Sequence, residues 1–266
     1  MMKKNNLFSS LFSAWDMLLD IPIPRAMAQS AGYQSGAPAM PQWTLLAMPV
    51  LGLLAALLLE LCGAAYGAIF GPPGAALLFA LTATVFLEYK DSGRGTVLLV
   101  TAISAKSQKV PLTGFLPQLK APQLADLTGA VPVLALVLIE LFKLGSLFAL
   151  YHGNAMIFLS AMLPLSFAVQ GFLGTMPDLA TGRQFLSIRG GAEGQIFIVA
   201  VFIALFVAIR FPAAVLAGAG AVLLLSFGVR SFSDKLYGGI SAEMITLAGA
   251  VAELLLLAAG VLLALK

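Results

Sequence analysis

The sequence predicts an all-α, polytopic membrane protein: a helix bundle of about seven transmembrane helices, preceded by an N-terminal helix lying in the membrane interface. Three observations predict it. Of the 266 residues only 10% are charged while 60% are hydrophobic, and the mean hydropathy is +0.99. A water-soluble domain of this length must cover its surface with far more charge than that. The apolar residues form long uninterrupted runs, and the basic residues fall on one side of them.

The N-terminal element comes first. Leu7, Phe8, Leu11, Phe12, Trp15, Leu18 and Leu19 recur at helical spacing, with Ser9, Ser10, Ser13 and Asp16 elsewhere on the wheel. The stretch is too short and too polar to cross, which fits a helix in the interface. Lys3, Lys4 and the small-residue triplet Ala26-Met27-Ala28 resemble a signal peptide, but Asp16, Asp20, Pro22 and Pro24 interrupt what would be its apolar region, so an uncleaved N-terminus is expected. Gln29 to Gln42, rich in Gly, Ser, Ala and Pro, reads as a flexible approach. Residues 1–43 thus form a lead, and 44–266 a single transmembrane domain.

Within that domain the runs Thr44 to Phe70, Pro73 to Leu87, Ala130 to Leu150, Ala155 to Leu173, Ile196 to Ile209, Pro212 to Gly228 and Ile245 to Leu265 are the candidate spans. A span needs roughly 20 residues or slightly fewer. The Pro73 and Ile196 runs are short, which leaves six spans and one buried or re-entrant segment as the alternative. Seven spans sort Lys3, Lys4, Arg25, Lys90, Arg94, Lys106, Lys109, Lys120, Arg183, Arg189, Arg230 and Lys235 to one side and only Arg210 and Lys266 to the other. Because Lys and Arg resist translocation, the basic side is expected to be cytoplasmic, with the N-terminus inside.

Cys62 is the single cysteine and His152 the single histidine. A disulfide framework and a zinc site are thereby excluded within the chain. His152 reads as a turn or interface residue. A net charge of +3 on a membrane chain offers no extended nucleic-acid surface.

The polar connection 88–129 is expected to be a cytoplasmic loop and the seat of any chemistry. It opens Glu88-Tyr89-Lys90-Asp91-Ser92-Gly93-Arg94-Gly95. Glu88 and Asp91 are three apart and would share a helical face. Carboxylates plus substrate phosphates suit Mg²⁺, with Arg or Lys neutralising the remaining phosphate charge. Charges gathered where a helix ends at the membrane surface give the same pattern, so both readings stand. Gly95 to Ser104 is apolar but too short to span, and fits a re-entrant or buried segment. The following Lys106, Lys109 and Lys120 can attract phosphate-bearing molecules or anionic membrane lipid.

Glu60, Glu140 and Glu253 lie inside predicted spans, where an ionisable group faces a protein interior or a water-filled cavity. Glu140 and Lys143, at i and i+3, can pair. Gly63, Gly67, Gly218 and Gly220 permit close helix approach.

The order of these segments resembles the cobalamin synthase family, the adenosylcobinamide-GDP ribazoletransferases. The resemblance is carried by Ile21-Pro22-Ile23-Pro24-Arg25 before the first span, by Met48-Pro49-Val50-Leu51-Gly52-Leu53-Leu54, by a second helix ending in Phe86 before a polar loop with carboxylates, and by Phe211-Pro212. It ends with Lys235-Leu236-Tyr237-Gly238-Gly239, then Glu243, Gly249-Ala250 and Glu253. The family's H-L-D-G-x-A-D-x-x-D-G pattern is reduced here: Leu87 stands near the His, and only Glu88 and Asp91 remain of the carboxylates. The S-R-G-like segment reads Leu165-Ser166-Phe167, without the Arg.

The resemblance implies an enzyme of the bacterial cytoplasmic membrane. It would join adenosylcobinamide-GDP to α-ribazole or its 5′-phosphate with release of GMP, by Mg²⁺-assisted displacement at phosphorus. It further implies Glu88 and Asp91 as Mg²⁺ ligands, Arg94 on the diphosphate, and Gly238, Gly239, Glu243 and Arg183 in substrate binding. The partners would be a corrinoid diphosphate, a ribazole and membrane lipid, with an oligomer left open. The reduced carboxylate set favours the alternative, a non-catalytic scaffold or binding subunit of the same fold. A small-molecule transporter is the third reading, on Glu60, Glu140 and Lys143 within spans.

Overall fold

The computed structural model describes residues 6–19, 21–23, 41–120, 129–182, 184, 186 and 194–265. Over these residues the chain is an all-α bundle, with two isolated β-bridges and no strand. The helices, in chain order, are α1 (Asn6–Leu18), α2 (Pro41–Ile69), α3 (Pro72–Tyr89), α4 (Arg94–Ser107), α5 (Leu112–Lys120), α6 (Ala130–His152), α7 (Leu159–Leu173), α8 (Gln195–Val207), α9 (Pro212–Tyr237) and α10 (Ala242–Ala259). A 3₁₀ turn, Met156–Phe158, leads into α7, and a π-helical turn, Gly260–Ala264, extends α10.

Six of these segments are long and apolar enough to cross a membrane. The architecture is that of an integral membrane protein, because exposed side chains such as Leu58, Leu61, Val85, Leu134, Leu138 and Leu224 require a hydrocarbon surround. The seventh expected span falls short. Helix α8 has 13 residues, about 20 Å at 1.5 Å per residue, and ends at the turn 208–210 before Pro212. Its Ile198, Phe202 and Phe206 face outward along one side.

Helix α7 is the central post. Every residue from Leu159 to Leu173 except Gln170 is buried, as expected of an apolar helix surrounded by others. Small residues let its neighbours approach. A Cβ on Gly52 of α2 would lie 2.7 Å from the Leu163 carbonyl group of α7, and one on Gly218 of α9 would lie 2.8 Å from the Leu256 side chain of α10. Gly63 meets Met156 and Phe79, and Gly67 meets the Tyr151 hydroxyl. Gly220 faces open space and has no such role. Polar cross-links complete the packing at one end of the bundle. Tyr151 donates to the Gly63 carbonyl at 3.0 Å, Tyr66 and Thr82 pair at 2.9 Å, and Ser160 donates to Glu60 at 2.5 Å. Exposed His152 stacks on Phe148 at this same end, in keeping with its reading as a turn residue.

Helix α1 forms as its periodicity predicts. Phe12, Ala14, Leu18 and Leu19 are buried, and the Trp15 indole donates to the Ile21 carbonyl at 2.7 Å. Its apolar face thus packs on the bundle, against α2. The expected flexible approach and the Ala26-Met27-Ala28 triplet lie mostly outside the described residues; its last two positions, Pro41 and Gln42, already belong to α2.

Over its described residues, 88–120 and 129, the connection is largely helical. Its described part holds α4 and α5, and α4 buries Gly95, Thr96, Leu98, Val100, Thr101, Ser104 and Ala105. The expectation of a buried apolar segment is met there. The expected cytoplasmic loop thus contains helices: the apolar stretch after the opening charges draws Lys90 inward, while Lys106 to Lys109 are exposed.

Candidate functional site

Helix α3 stops inside the bundle. Its last turn carries Glu88, which is bonded to Lys143, and Lys143 lies 13 residues beyond Ala130 on α6, about 20 Å along that helix. Lys90, one residue past α3, pairs with Glu253 at 3.0 Å, 11 residues into α10. The break is therefore at mid-bundle depth, not at a membrane boundary. From it α4 continues in the direction of α3, toward the end where α6 starts: Phe79 of α3 packs on Tyr151, Thr96 touches Lys143, and Val100 packs on Ile139 and Ala135.

The local sequence produces the break. Ser92 and Gly93 adopt left-handed backbone conformations, φ 56° and 72°, which glycine tolerates without cost. The Gly93 amide returns to the Glu88 carbonyl at 2.7 Å, closing the C-terminus of α3. The Asp91 carboxylate then accepts from the Gly95 amide at 3.2 Å, satisfying a donor in the first turn of α4. Away from water, backbone groups freed by a break need such internal partners.

Around the break lie two buried ammonium groups. Lys143, 4% exposed, donates to Glu88, to the Thr96 hydroxyl at 2.7 Å and to Glu140 at 3.3 Å. The expected Glu140–Lys143 pair is thus present. Lys90, 1% exposed, reaches Glu253 at 3.0 Å and Asp91 at 3.4 Å. Glu253, itself buried, also accepts from Ser166 of α7 at 3.1 Å. An unpaired charge at this depth would cost several kcal/mol. Each ammonium here meets two or three oxygens instead.

Beside the break a cavity of about 410 Å³ is lined by Ser92, Arg94, Val97, Leu98, Leu119, Lys120, Ala242, Glu243 and Thr246. It joins α4, α5 and the start of α10. Ser241 caps α10, accepting from the Met244 amide at 3.4 Å, which places Glu243 in the first turn. The network sets Lys90 and Lys143 against Glu88, Asp91, Glu140 and Glu253, and the cavity beside it is lined by Arg94 and Lys120 together with Glu243. The site is therefore close to charge balance.

Of the residues singled out in the sequence, Glu88 and Asp91 meet at the break, while Arg94 and Glu243 share the cavity. Gly238 and Gly239 do not line it. Gly238 ends α9 with φ 72°, and Gly239 lies so close to the Pro177 carbonyl that a Cβ would come within 2.5 Å. They knit the 238–240 turn to the 177–179 turn, through Ile240 N to Pro177 O at 2.8 Å and Leu179 N to Ile240 O at 3.0 Å. In that second turn, the Thr181 hydroxyl and the Ala180 and Thr181 amides bond to Asp178. Slight desolvation opposes them, but these bonds hold the Asp178 carboxyl below its ordinary value. Arg183 lies outside the described residues.

Sequence reasoning missed the roles of Lys90, Thr96 and Ser166, whereas Lys120, expected to attract phosphate or anionic lipid, does line the cavity. One signal could have found Lys90: the charged octet is followed at once by an apolar stretch, so apolar helix flanks it on both sides.

The donor set does not fit a resident Mg²⁺. Among the described residues no group of three His, Cys, Asp or Glu side chains is placed to hold a metal ion. One oxygen each of Glu88 and Asp91 is already taken by an ammonium and by a hydroxyl or amide donor. Mg²⁺ requires near-octahedral oxygen coordination at about 2.0–2.1 Å.

No known protein family, no curated protein and no solved structure matches this chain.

Proposed function

We propose that the chain is a membrane-embedded transferase that handles a phosphate-bearing corrinoid precursor, joining adenosylcobinamide-GDP to α-ribazole or its 5′-phosphate with release of GMP. The observation that carries the reading is the cavity beside the helix break, which Arg94, Lys120 and Glu243 line together. Two cations from different helices suit a diphosphate, which Arg recognises by paired donors and Lys as a point charge. The segment order that resembles the cobalamin synthases supplies the particular substrate.

A volume of about 410 Å³ accommodates the diphosphate and its nearest groups, and the corrin ring stays outside it. In this reading the ribazole oxygen attacks the cobinamide-side phosphorus in line. A new P–O bond forms, the P–O bond to GMP breaks, and the guanidinium and ammonium balance charge on the phosphoryl oxygens. Glu243 stands in the same cavity to take the hydroxyl proton. The basic end of the bundle is cytoplasmic, where both nucleotides reside.

Purified protein in detergent, given both substrates and Mg²⁺ in the buffer, is expected to release GMP, and Arg94→Ala to abolish the release. No GMP above the Arg94→Ala background removes the transferase reading. A second reading rests on a specific observation, the engagement of Glu88, Asp91 and Glu253 by lysines. A non-catalytic member of the same fold would bind the corrinoid diphosphate, yet fail to restore cobamide synthesis in a strain lacking cobalamin synthase.

A further inference from the structure

We propose that the ammonium groups of Lys90 and Lys143 occupy the place of a divalent cation, so that this site receives its phosphate-bearing ligand without a resident metal ion. The inference rests on the site being the phosphate-binding one. It concerns what neutralises the carboxylates there.

The coordination of Lys143 carries it. An ammonium has three N–H donors and no acceptor. Those of Lys143 are directed at Glu88, Thr96 and Glu140, three oxygen-bearing side chains from three helices. This convergence of oxygens from separate elements on one buried positive charge is what a metal centre requires, and here a lysine fills it. Lys90, two residues beyond Glu88, likewise draws together two carboxylates, Asp91 and Glu253. Both stems are buried, and both heads sit where α3 breaks. A divalent ion at the remaining oxygen of Glu88 or Asp91 would stand, as a like charge, beside an ammonium already bonded to the same carboxylate.

The arrangement also explains why Glu88 and Asp91 can remain at mid-bundle depth. Carboxylates there need a partner. A covalently tethered cation cannot dissociate, so the break keeps its shape whatever the metal supply.

The test uses Mn²⁺, whose free-ion EPR signal falls on binding, with the full-length protein in detergent. Wild type at micromolar Mn²⁺ is expected to leave the signal where the Glu88→Gln variant leaves it. Lys143→Met, which frees Glu88 and Glu140, is expected to take up about one Mn²⁺ per chain at least tenfold more tightly than wild type. That uptake should disappear in Lys143→Met with Glu88→Gln.

Stoichiometric, Mg²⁺-displaceable Mn²⁺ binding by wild type that Glu88→Gln abolishes overturns the proposal. The wild-type comparison decides the matter even where Lys143→Met does not fold. GDP serves as a separate diphosphate probe. Binding retained within twofold in excess EDTA supports the proposal, and binding that needs Mg²⁺ overturns it. Absence of GDP binding in both buffers strikes the phosphate-site reading, while the Mn²⁺ result still decides whether the lysines stand in for a metal.

Discussion

Lys90 sets the stability of the break, and Lys90→Met measures by how much. Its ammonium lies 3.0 Å from Glu253 and 3.4 Å from Asp91. At an effective dielectric constant near 20, each contact is worth about 5 kcal/mol of Coulomb attraction. Desolvation of three charged groups, at several kcal/mol each, offsets most of that sum, so the pairing adds little net stability. Its removal is a different matter. Lys90→Met leaves Glu253, 3% exposed, buried without its cation. Breaking a buried pair on one side costs about 3–5 kcal/mol.

Glu253→Met removes the same pair from the acid side and leaves Lys90 with Asp91 alone. The double substitution Lys90→Met with Glu253→Met replaces both by apolar groups. Asp91 keeps its bond from the Gly95 amide, so at least half of the loss should return. The assay is the fraction of monodisperse protein after heating in detergent, followed by size exclusion. At about 2–4 °C per kcal/mol for a chain of this size, Lys90→Met should lower the midpoint by on the order of 10 °C. A Lys90→Met midpoint within about 2 °C of wild type, or a double variant whose loss is the sum of the two single losses, refutes the reasoning.

Helix contact makes a second prediction. Gly52→Ala forces a Cβ onto the α7 backbone at 2.7 Å and should cost about 1–3 kcal/mol, whereas Gly220→Ala, with nothing within 4 Å, should stay within about 0.5 kcal/mol of wild type; the same heating assay reads both. In the break itself, Gly93→Ala places a Cβ at φ 72° and should cost about 1–2 kcal/mol, read as an earlier heating midpoint. For Asp178 the folded carboxyl is held below its ordinary value of 3.8. Its contribution is therefore present above that value and lost as pH falls through the folded one. Hydrogen exchange over residues 176–182 should not vary between about pH 5 and 8 once corrected for the intrinsic rate, and Asp178→Ala should quicken it; exchange unchanged by the substitution contradicts the assigned bonds.

Hydropathy and charge spacing by themselves determined that this chain is a helical membrane bundle, since lipid admits only backbone that bonds within its own segment. The apolar periodicity of residues 7–19 was enough for α1, and the i, i+3 spacing was enough for the Glu140–Lys143 pair, because both are local. Glycine in a span signalled close approach at Gly63, Gly67 and Gly218, but not which glycine, as open space at Gly220 shows. The depth of the charged octet was not legible. A Glu88-to-Gly95 stretch at a surface and the same stretch at a buried break have identical composition. What separates them is the partner, Lys143 from 55 residues further on for Glu88 and Glu253 from far along the chain for Lys90. Only the tertiary structure decided that pairing, because a buried charge is stabilised by groups brought to it across the fold, and no local pattern specifies them.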